Sequence, residues 1–151
     1  MKAIIQRVTK ASVTVGGEVI SSIGKGLCVL VGIHRDDKIE DMEFIARKIV
    51  NLRLFDAEDG KKWDKSVKDL DLEILSVSQF TLHSQLKGNK VDFHNSMSPA
   101  DAAQFYEKFL AHLGRSYKTE RIQDGKFAAY MMVNMDNDGP VTITLDSRNR
   151  E

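Results

Sequence analysis

Cysteine is nearly absent from this chain of 151 residues, which carries only Cys28 and therefore has no disulfide framework. Because disulfides belong mainly to oxidising compartments, the sequence predicts a cytoplasmic protein. Neither sign of charge is in excess, since 22 basic residues balance 22 acidic residues. This balance argues against a partner bound through many phosphates, but is compatible with a partner touched only at one end. No apolar run approaches the roughly 18 residues of a membrane span, and the charges of Lys2 and Arg7 come too early for a signal peptide.

The sequence also lacks the patterns of common metal and nucleotide sites. Its four histidines and its cysteine are scattered, and no pair has the spacing of a helix or knuckle metal site. Gly24-Lys25-Gly26 is too short for a phosphate-binding loop and is not followed by the required Lys-Ser or Lys-Thr pair. No Gly-x-Ser-x-Gly segment is present. We therefore expect no metal and no cofactor.

Short runs rich in β-branched residues alternate with two helical patterns. We predict strands at residues 3–8, 12–15, 18–23, 27–33, 72–77, 118–123, 130–135 and 141–145. One helix is capped by Asp36 or Asp37 and runs to about Arg53, and a second begins after Ser98 and stops at Gly114. The fold class is therefore α+β, with a curled, mostly antiparallel, barrel-like sheet and two main helices in a single domain over residues 1–151. Because two helices cover only part of such a sheet, we expect a second copy of the chain to cover the rest in a homodimer.

Several conspicuous side chains are interpreted as packing. Cys28 lies in the most apolar strand, where burial raises a thiol pKa and keeps the group unreactive. Trp63 is the only tryptophan and has no neighbours in sequence that suggest another role. Six residues on the second helix form one apolar stripe that we assign to the core: Ala102, Phe105, Tyr106, Phe109, Leu110 and Leu113.

Gly139-Pro140 stands between the last two predicted strands. Asn137-Asp138-Gly139 in such a place ordinarily forms a hairpin turn, but Pro140 begins the second strand without an N–H to donate. A Gly-Pro pair here leaves two backbone carbonyls exposed. The pattern alone predicts a turn with a trans proline, because only about 5–6% of X–Pro bonds in folded proteins are cis.

The stretch with the clearest chemical potential is Ser78-Gln79-Phe80-Thr81-Leu82. A strand that ends in this way can aim successive backbone N–H groups at one carbonyl or anionic oxygen. The hydroxyls of Ser78 and Thr81 are candidate nucleophiles or donors, but a nucleophile needs an activating base. His94 with Asp92 is the one candidate pair, and we interpret it as a solvated loop pair. The residues thus predict oxyanion stabilisation without a protein base, which suits a substrate that carries its own hydroxyl.

Together, the stretches 78–82 and 137–142 resemble the motif pair of the D-aminoacyl-tRNA deacylases. Arg7-Val8, Ala11-Ser12-Val13 and the spacing along essentially the whole chain match the same family. The resemblance implies a cytoplasmic homodimer without a cofactor. It also implies a substrate, the acceptor end of D-aminoacyl-tRNA, whose ester between the D-amino acid and the terminal adenosine is hydrolysed.

The resemblance assigns roles to individual residues. Gly139 and Pro140 correspond to a cis Gly-Pro that enters the partner subunit's pocket and selects chirality, and Arg7 corresponds to the arginine that orients it. Two main-chain carbonyls then accept from the substrate ammonium group, so that a D side chain points to solvent and an L side chain strikes backbone. Glycine has no side chain to clash, so glycyl-tRNA is expected to be cleaved as well. The floor of the catalytic pocket corresponds to Ser78, Gln79, Phe80 and Thr81.

Some alternatives stay open at this point. The favoured mechanism uses N–H groups near Phe80 and Thr81 with help from the terminal ribose 2′-hydroxyl, and its rival uses Thr81 as a covalent nucleophile. A sister family that clears L-alanine from mischarged tRNA has Pro-Gln-Ala-Thr-Leu and a trans Gly-Pro, whereas Ser78 and Phe80 place this chain on the D-specific side. A nucleic-acid-binding module without turnover is the alternative from another class. Four basic residues are interpreted as solvated, with phosphate contact as the alternative: Lys87, Lys90, Lys118 and Arg121.

Overall fold

The computed structural model describes all residues from 1 to 151. It contains eight β-strands: β1 (Lys2–Val15), β2 (Glu18–Ile23), β3 (Gly26–Gly32), β4 (Glu73–Ser78), β5 (Gln85–Lys87), β6 (Lys90–Asp92), β7 (Ile122–Asp124) and β8 (Met132–Asp146). There are two α-helices, α1 (Ile39–Asn51) and α2 (Pro99–Ser116), and two 3₁₀ helices, Phe80–His83 and Thr119–Arg121. Neither α-helix combines the length and apolar character that crossing a membrane requires.

Strand β1 organises the main sheet. One edge of β1 pairs antiparallel with β3 and then with β2, while its other edge pairs antiparallel with β8. Beyond β3 lie β4 and β7, each parallel to its neighbour. These parallel pairs follow from the connections, because α1 joins β3 to β4 and α2 lies between β4 and β7, and helical crossovers bring the chain back in the same direction. The predicted α+β class with a curled sheet and two main helices is confirmed.

The predicted strands 3–8 and 12–15 are in fact one continuous strand, β1. Thr9 and Lys10 are polar and exposed, and they interrupt the apolar alternation on which the prediction rested. Pairing with β8 nevertheless extends from Lys2 opposite Asp146 to Thr14 opposite Met132. Backbone hydrogen bonds to a partner distant in sequence hold the strand together, and a local side-chain pattern does not report them.

The predicted hairpin at the end of the chain is wrong. The runs 130–135 and 141–145 lie mainly in one strand, β8, and both pair with β1 in the same antiparallel sense. Gln6 stands opposite Thr142 and Val8 stands opposite Asn137, so residues 138–141 of β8 face the single residue Arg7. Extra residues in one strand of a pair form a bulge, and we call residues 138–141 the Gly-Pro bulge.

The core contains the side chains that the sequence assigned to it, with one exception. Residues of α1, α2, β1 and β3 share one large apolar cluster, in which the predicted stripe of α2 takes part. Cys28 is fully buried, and burial raises the pKa of its thiol to about 11, so its interpretation as core is confirmed. Trp63 contradicts the packing interpretation, because it is 57% exposed. The loop between α1 and β4 leaves this ring uncovered.

The start of α1 differs from the prediction. The helix begins at Ile39 after Lys38, whose backbone N–H donates to the Asp41 carboxylate at 2.9 Å. Asp37 is buried and does not cap the helix. Its carboxylate accepts from the ammonium group of Met1 at 2.6 Å and from the His34 N–H at 2.7 Å.

The C-terminal boundary of α2 and the segment after it also differ. Gly114 does not stop α2, which continues to Ser116. A Cβ at Gly114 would lie 2.9 Å from the Thr119 hydroxyl, so the glycine makes room for the following turn. Residues 118–123, predicted as a strand, include the 3₁₀ helix Thr119–Arg121, and only β7 pairs with β4.

Candidate active site

The stretch predicted to be catalytic leaves the sheet at the end of β4 and folds over β3. Phe80–His83 form the 3₁₀ helix that we call the motif turn. The Gln79 N–H donates to the Val31 carbonyl at 2.7 Å, which extends the β3–β4 pairing by one residue before the chain turns. A Cβ on Gly32 would lie 2.7 Å from Leu82 Cβ and 3.1 Å from the Gln79 carbonyl oxygen. Gly32 therefore allows the motif turn to lie directly on β3.

Three side chains beyond residues 78–82 hold the motif turn in place, and one of them, His83, is the last residue of the turn itself. The buried His83 donates from Nε2 to the Gly32 carbonyl at 3.0 Å, and burial lowers the pKa of this imidazole, which favours its neutral form. Lys2 Nζ donates to the Leu82 carbonyl at 3.3 Å, and Ser96 Oγ donates to the Phe80 carbonyl at 2.9 Å. Sequence reasoning missed these residues because their partners are between 16 and 80 positions away.

The motif turn offers backbone donors rather than an activated side chain. The N–H groups of Phe80 and Thr81 stand at its first positions, where a helix provides no intrahelical acceptor. The Thr81 hydroxyl accepts from the side-chain amide of Gln79. No histidine or carboxylate is hydrogen-bonded to the hydroxyl of Ser78 or of Thr81. The exposed His94 pairs with the carboxylate of Asp92, the last residue of β6, so it is a solvated pair, as the sequence interpretation expected.

An open cavity of about 600 Å³ lies beside the motif turn. Its walls come from the end of β4, from the start of α2 and from the segment leading into β8, and most of them are apolar. Phe80 is 58% exposed and packs edge-to-face against Phe93, another wall residue, with ring centroids 5.1 Å apart. Three of the predicted catalytic residues line the cavity, namely Ser78, Gln79 and Phe80, whereas Thr81 does not.

The Gly-Pro bulge is a separate structure with its own supports, and its residues Gly139 and Pro140 are exposed. Its Gly139-Pro140 peptide bond is cis. Arg7 Nε lies 3.3 Å from the Asp138 carbonyl and 3.2 Å from the Asp138 carboxylate, while Arg7 Nη1 donates to the Leu54 carbonyl at 2.7 Å. The Asn137 side-chain oxygen accepts from the Val141 N–H at 3.1 Å. Arg7 thus ties the bulge to β1 and to Leu54, and the bond between Asn137 and Val141 closes the bulge.

The two predicted motifs do not meet within one chain. Arg7, at the bulge, stands opposite Leu27 of β3, whereas Gln79 is bonded to Val31, four residues further along that strand. This offset corresponds to roughly 13 Å along the strands, and three strand spacings between β8 and β4 add about 14 Å across them. The residues that line the cavity include neither Gly139 nor Pro140.

The sequence of the chain matches a known protein family. The family model described as D-Tyr-tRNA(Tyr) deacylase matches residues 4–146. The chain belongs to this deacylase family. A D-aminoacyl-tRNA deacylase of Dictyostelium discoideum is 60% identical over 151 residues, which cover 99% of this chain and all of that protein. D-aminoacyl-tRNA deacylase 1 of Mus musculus is 58% identical over 147 residues, or 97% of this chain and 70% of that protein.

A solved structure with a similar level of identity has the same fold as this chain. It is described as a c-Myc DNA unwinding element binding protein and is 58% identical, with a TM-score of 0.94 over 97% of this chain and 98% of that one. The family model and the two named relatives confirm the family resemblance expected from the stretches 78–82 and 137–142. Within this deacylase chain, no cluster of three or more histidine, cysteine, aspartate or glutamate side chains could hold a metal ion.

Proposed function

We propose that this chain, as one deacylase domain over residues 1–151, hydrolyses the ester of D-aminoacyl-tRNA and frees the D-amino acid and the tRNA. The observation that carries the proposal is the presence of both motifs, each built into a supported structure, in a chain 58–60% identical to named D-aminoacyl-tRNA deacylases. Ser78 and Phe80, which the L-alanine-specific sister family replaces, favour the D-specific activity over the sister activity. We keep the cytoplasm as the expected location.

A homodimer completes the site. Gly139 and Pro140 of one chain are exposed on a bulge that Arg7 holds, and the cavity beside the motif turn is open. In one chain these two features are too far apart to act on one substrate. Two-fold pairing lets each bulge enter the cavity of the other copy, because an isologous interface gives both contacts at once.

Selection of chirality rests on main-chain atoms. The carbonyl oxygens of Gly139 and Pro140 accept hydrogen bonds from the substrate ammonium group, and the motif turn fixes the ester. With these two directions fixed at the α-carbon, the D side chain points to solvent and the L side chain strikes backbone. A selector of this kind works for any side chain, because it rejects by steric exclusion. Glycyl-tRNA passes the same test and is cleaved.

The chemistry relies on stabilisation of the oxyanion. The N–H groups near Phe80 and Thr81, at the start of the turn that borders the cavity, polarise the ester carbonyl, and one such donor typically contributes about 10²–10³ in rate. The 2′-hydroxyl of the terminal ribose assists the attacking water, so a protein base is not needed. A cavity of about 600 Å³ has the size of ordinary small-molecule sites and accommodates the aminoacylated adenosine.

The release of amino acid from D-tyrosyl-tRNA and L-tyrosyl-tRNA by the purified protein tests this function. We expect multiple-turnover release from the D substrate and no release above the spontaneous rate from the L substrate. Preferential release from L-alanyl-tRNA indicates the sister activity. Binding of tRNA with no release from any substrate indicates a nucleic-acid-binding module without turnover.

A further inference from the structure

The segment that follows the motif turn forms a projecting hairpin. Strands β5 and β6 pair only with each other and make a sheet separate from the main one. We call Gln85–Asp92 the arm. Every residue of the arm except Asp92 is exposed. A two-stranded hairpin with three residues in each strand is at best marginally stable by itself, so the arm has no evident role in holding the fold together.

The arm carries positive charge at its tip. Lys87 and Lys90 are directly opposite each other across the turn Gly88-Asn89. Like charges in this relationship destabilise a hairpin unless an anion lies between or beside them. Lys87 reaches only the Asp92 carboxylate, at 3.5 Å, and Asp92 is shared with His94, while Lys90 has no acidic partner.

Lys118 and Arg121, the other basic pair singled out in the sequence, share an acidic partner. Lys118 Nζ lies 2.7 Å from one oxygen of the Asp71 carboxylate, and Arg121 Nη2 lies 2.8 Å from the other. These contacts lower the pKa of Asp71 to about 2, chiefly through the hydrogen bond from Lys118. Their charge is therefore partly compensated within the protein, in contrast to that of the arm.

The opposite face of the arm is apolar. Leu86 and Val91 form a cross-strand pair and are 74% and 46% exposed. Because side chains alternate along a strand, this pair points away from the lysines. The lysines therefore stand on a face without apolar side chains, which suits the phosphates of a single-stranded nucleic acid.

We propose that the arm binds the single-stranded acceptor end of the tRNA, with Lys87 and Lys90 at its phosphates. This inference rests on the proposed function. The arm starts two residues after His83 and ends next to Phe93, which lines the cavity, so both its strands are rooted at the site. Three residues of strand span about 10 Å, so the tip lies within a few nucleotides of an adenosine held in the cavity. The charge of the arm favours tRNA over a second copy of this chain as its partner. Two opposed lysines are stabilised by a polyanion, whereas this chain has no net charge.

The test uses the full chain with Lys87→Gln and Lys90→Gln combined, and the matched control Lys118→Gln with Arg121→Gln. For the arm variant we expect kcat/KM on D-tyrosyl-tRNA to fall about 10-fold at low salt, mainly through KM. The slope of log kcat/KM against log salt should become shallower by about 1.4, or 0.7 for each lost phosphate contact. Hydrolysis of the minimal substrate D-tyrosyl-adenosine should stay unchanged, as should both activities of the control.

Direct binding separates failure of this inference from failure of the proposed function. The affinity of uncharged tRNA with and without its terminal CCA is measured for the same proteins, which requires no hydrolysis. The arm variant should bind intact tRNA about 10-fold more weakly and truncated tRNA as the wild type does. Equal affinity of the arm variant and the wild type for intact tRNA overturns the inference. The inference is also overturned if sedimentation shows a dimer for the wild type and a monomer for the arm variant, because the arm would then be a contact between copies.

Discussion

Arg7 holds Asp138 by two contacts, with its Nε 3.3 Å from the backbone carbonyl oxygen and 3.2 Å from the side-chain carboxylate. The same guanidinium donates to the Leu54 carbonyl at 2.7 Å, so it braces the Gly-Pro bulge against the loop after α1. Arg7 is the one residue of β1 that faces the whole bulge. The orientation of the bulge therefore depends on this side chain.

Arg7→Ala should lower kcat/KM on D-tyrosyl-tRNA by about 10- to 100-fold, because displacement of a positioned group by 1 Å costs up to about 10² in rate. Lys10→Ala is the matched control, since Lys10 forms only an exposed ion pair with Asp136 at 3.8 Å on the same strand pair. Exposed pairs of this kind contribute at most about 1 kcal/mol, so the control should keep its activity. Steady-state kinetics of both variants check this prediction. Equal kinetics for the two would show that Arg7 does not orient the Gly-Pro bulge for catalysis.

Gly32→Ala should reduce kcat without unfolding the protein. The added methyl group meets Leu82 Cβ at 2.7 Å, and such overpacking costs about 1–3 kcal/mol and lifts the motif turn from β3. Gly24→Ala is the control, because its Cβ would find only Glu73 Oε1 at 3.6 Å. Urea unfolding and turnover are measured together. A Gly32→Ala protein that is destabilised but turns over at the wild-type rate would contradict the role of the motif turn.

His83→Gln should retain most of the activity that His83→Leu loses. Glutamine can place an N–H donor near the position of Nε2, which donates to the Gly32 carbonyl at 3.0 Å, whereas leucine leaves that buried carbonyl without its partner. The difference should appear in kcat rather than in KM, since His83 does not line the cavity. If the two variants lose kcat equally, the hydrogen bond has no part in positioning the motif turn.

Thr81→Ala should lower kcat by less than about 10-fold, because the backbone N–H groups on which oxyanion stabilisation depends survive the substitution. Loss of a covalent nucleophile would instead cost on the order of 10⁴-fold or more. Rapid-quench experiments on the wild type complete the test. Trapped acyl-enzyme together with the larger loss in Thr81→Ala would establish the covalent mechanism in place of the one proposed.

Glycyl-tRNA should be hydrolysed at enzyme concentrations that clear D-tyrosyl-tRNA, because steric exclusion cannot act on a residue without a side chain. L-alanyl-tRNA, with a single methyl group in the forbidden direction, is the most demanding comparison and should resist. Release from the three substrates is followed at equal enzyme concentration. Complete resistance of glycyl-tRNA would mean that the pocket recognises a D side chain positively.

The chemistry-bearing stretches could be located from the sequence, whereas their surroundings could not. Ser78 to Leu82 and Gly139-Pro140 stand out because their composition is unusual for a strand end and a strand start. The sequence predicts a hairpin turn at the bulge, because Asn-Asp-Gly gives the same local pattern in a hairpin turn and in a bulge. The two differ in pairing, since here the runs on both sides of the bulge pair with β1. The supports Lys2, His83 and Ser96 act through hydrogen bonds to distant carbonyls, which leave no periodic signature in the sequence.

Mixing of subunits tests most directly whether the Gly-Pro bulge acts in the cavity of a second copy. One parent carries Gly139→Ala, whose Cβ would lie 2.8 Å from Val141 Cγ2 and 3.1 Å from Arg7 Nη2 at a φ of +121°, so that its bulge is defective. The other parent carries Gly32→Ala and has a defective motif turn. Each parent alone should be nearly inactive on D-tyrosyl-tRNA. Statistical mixing through a two-fold interface should restore about a quarter of the wild-type sites, since half of the dimers are mixed and each has one intact site. Absence of recovery in verified mixed dimers, or full activity in a protein shown to be monomeric, would contradict the account.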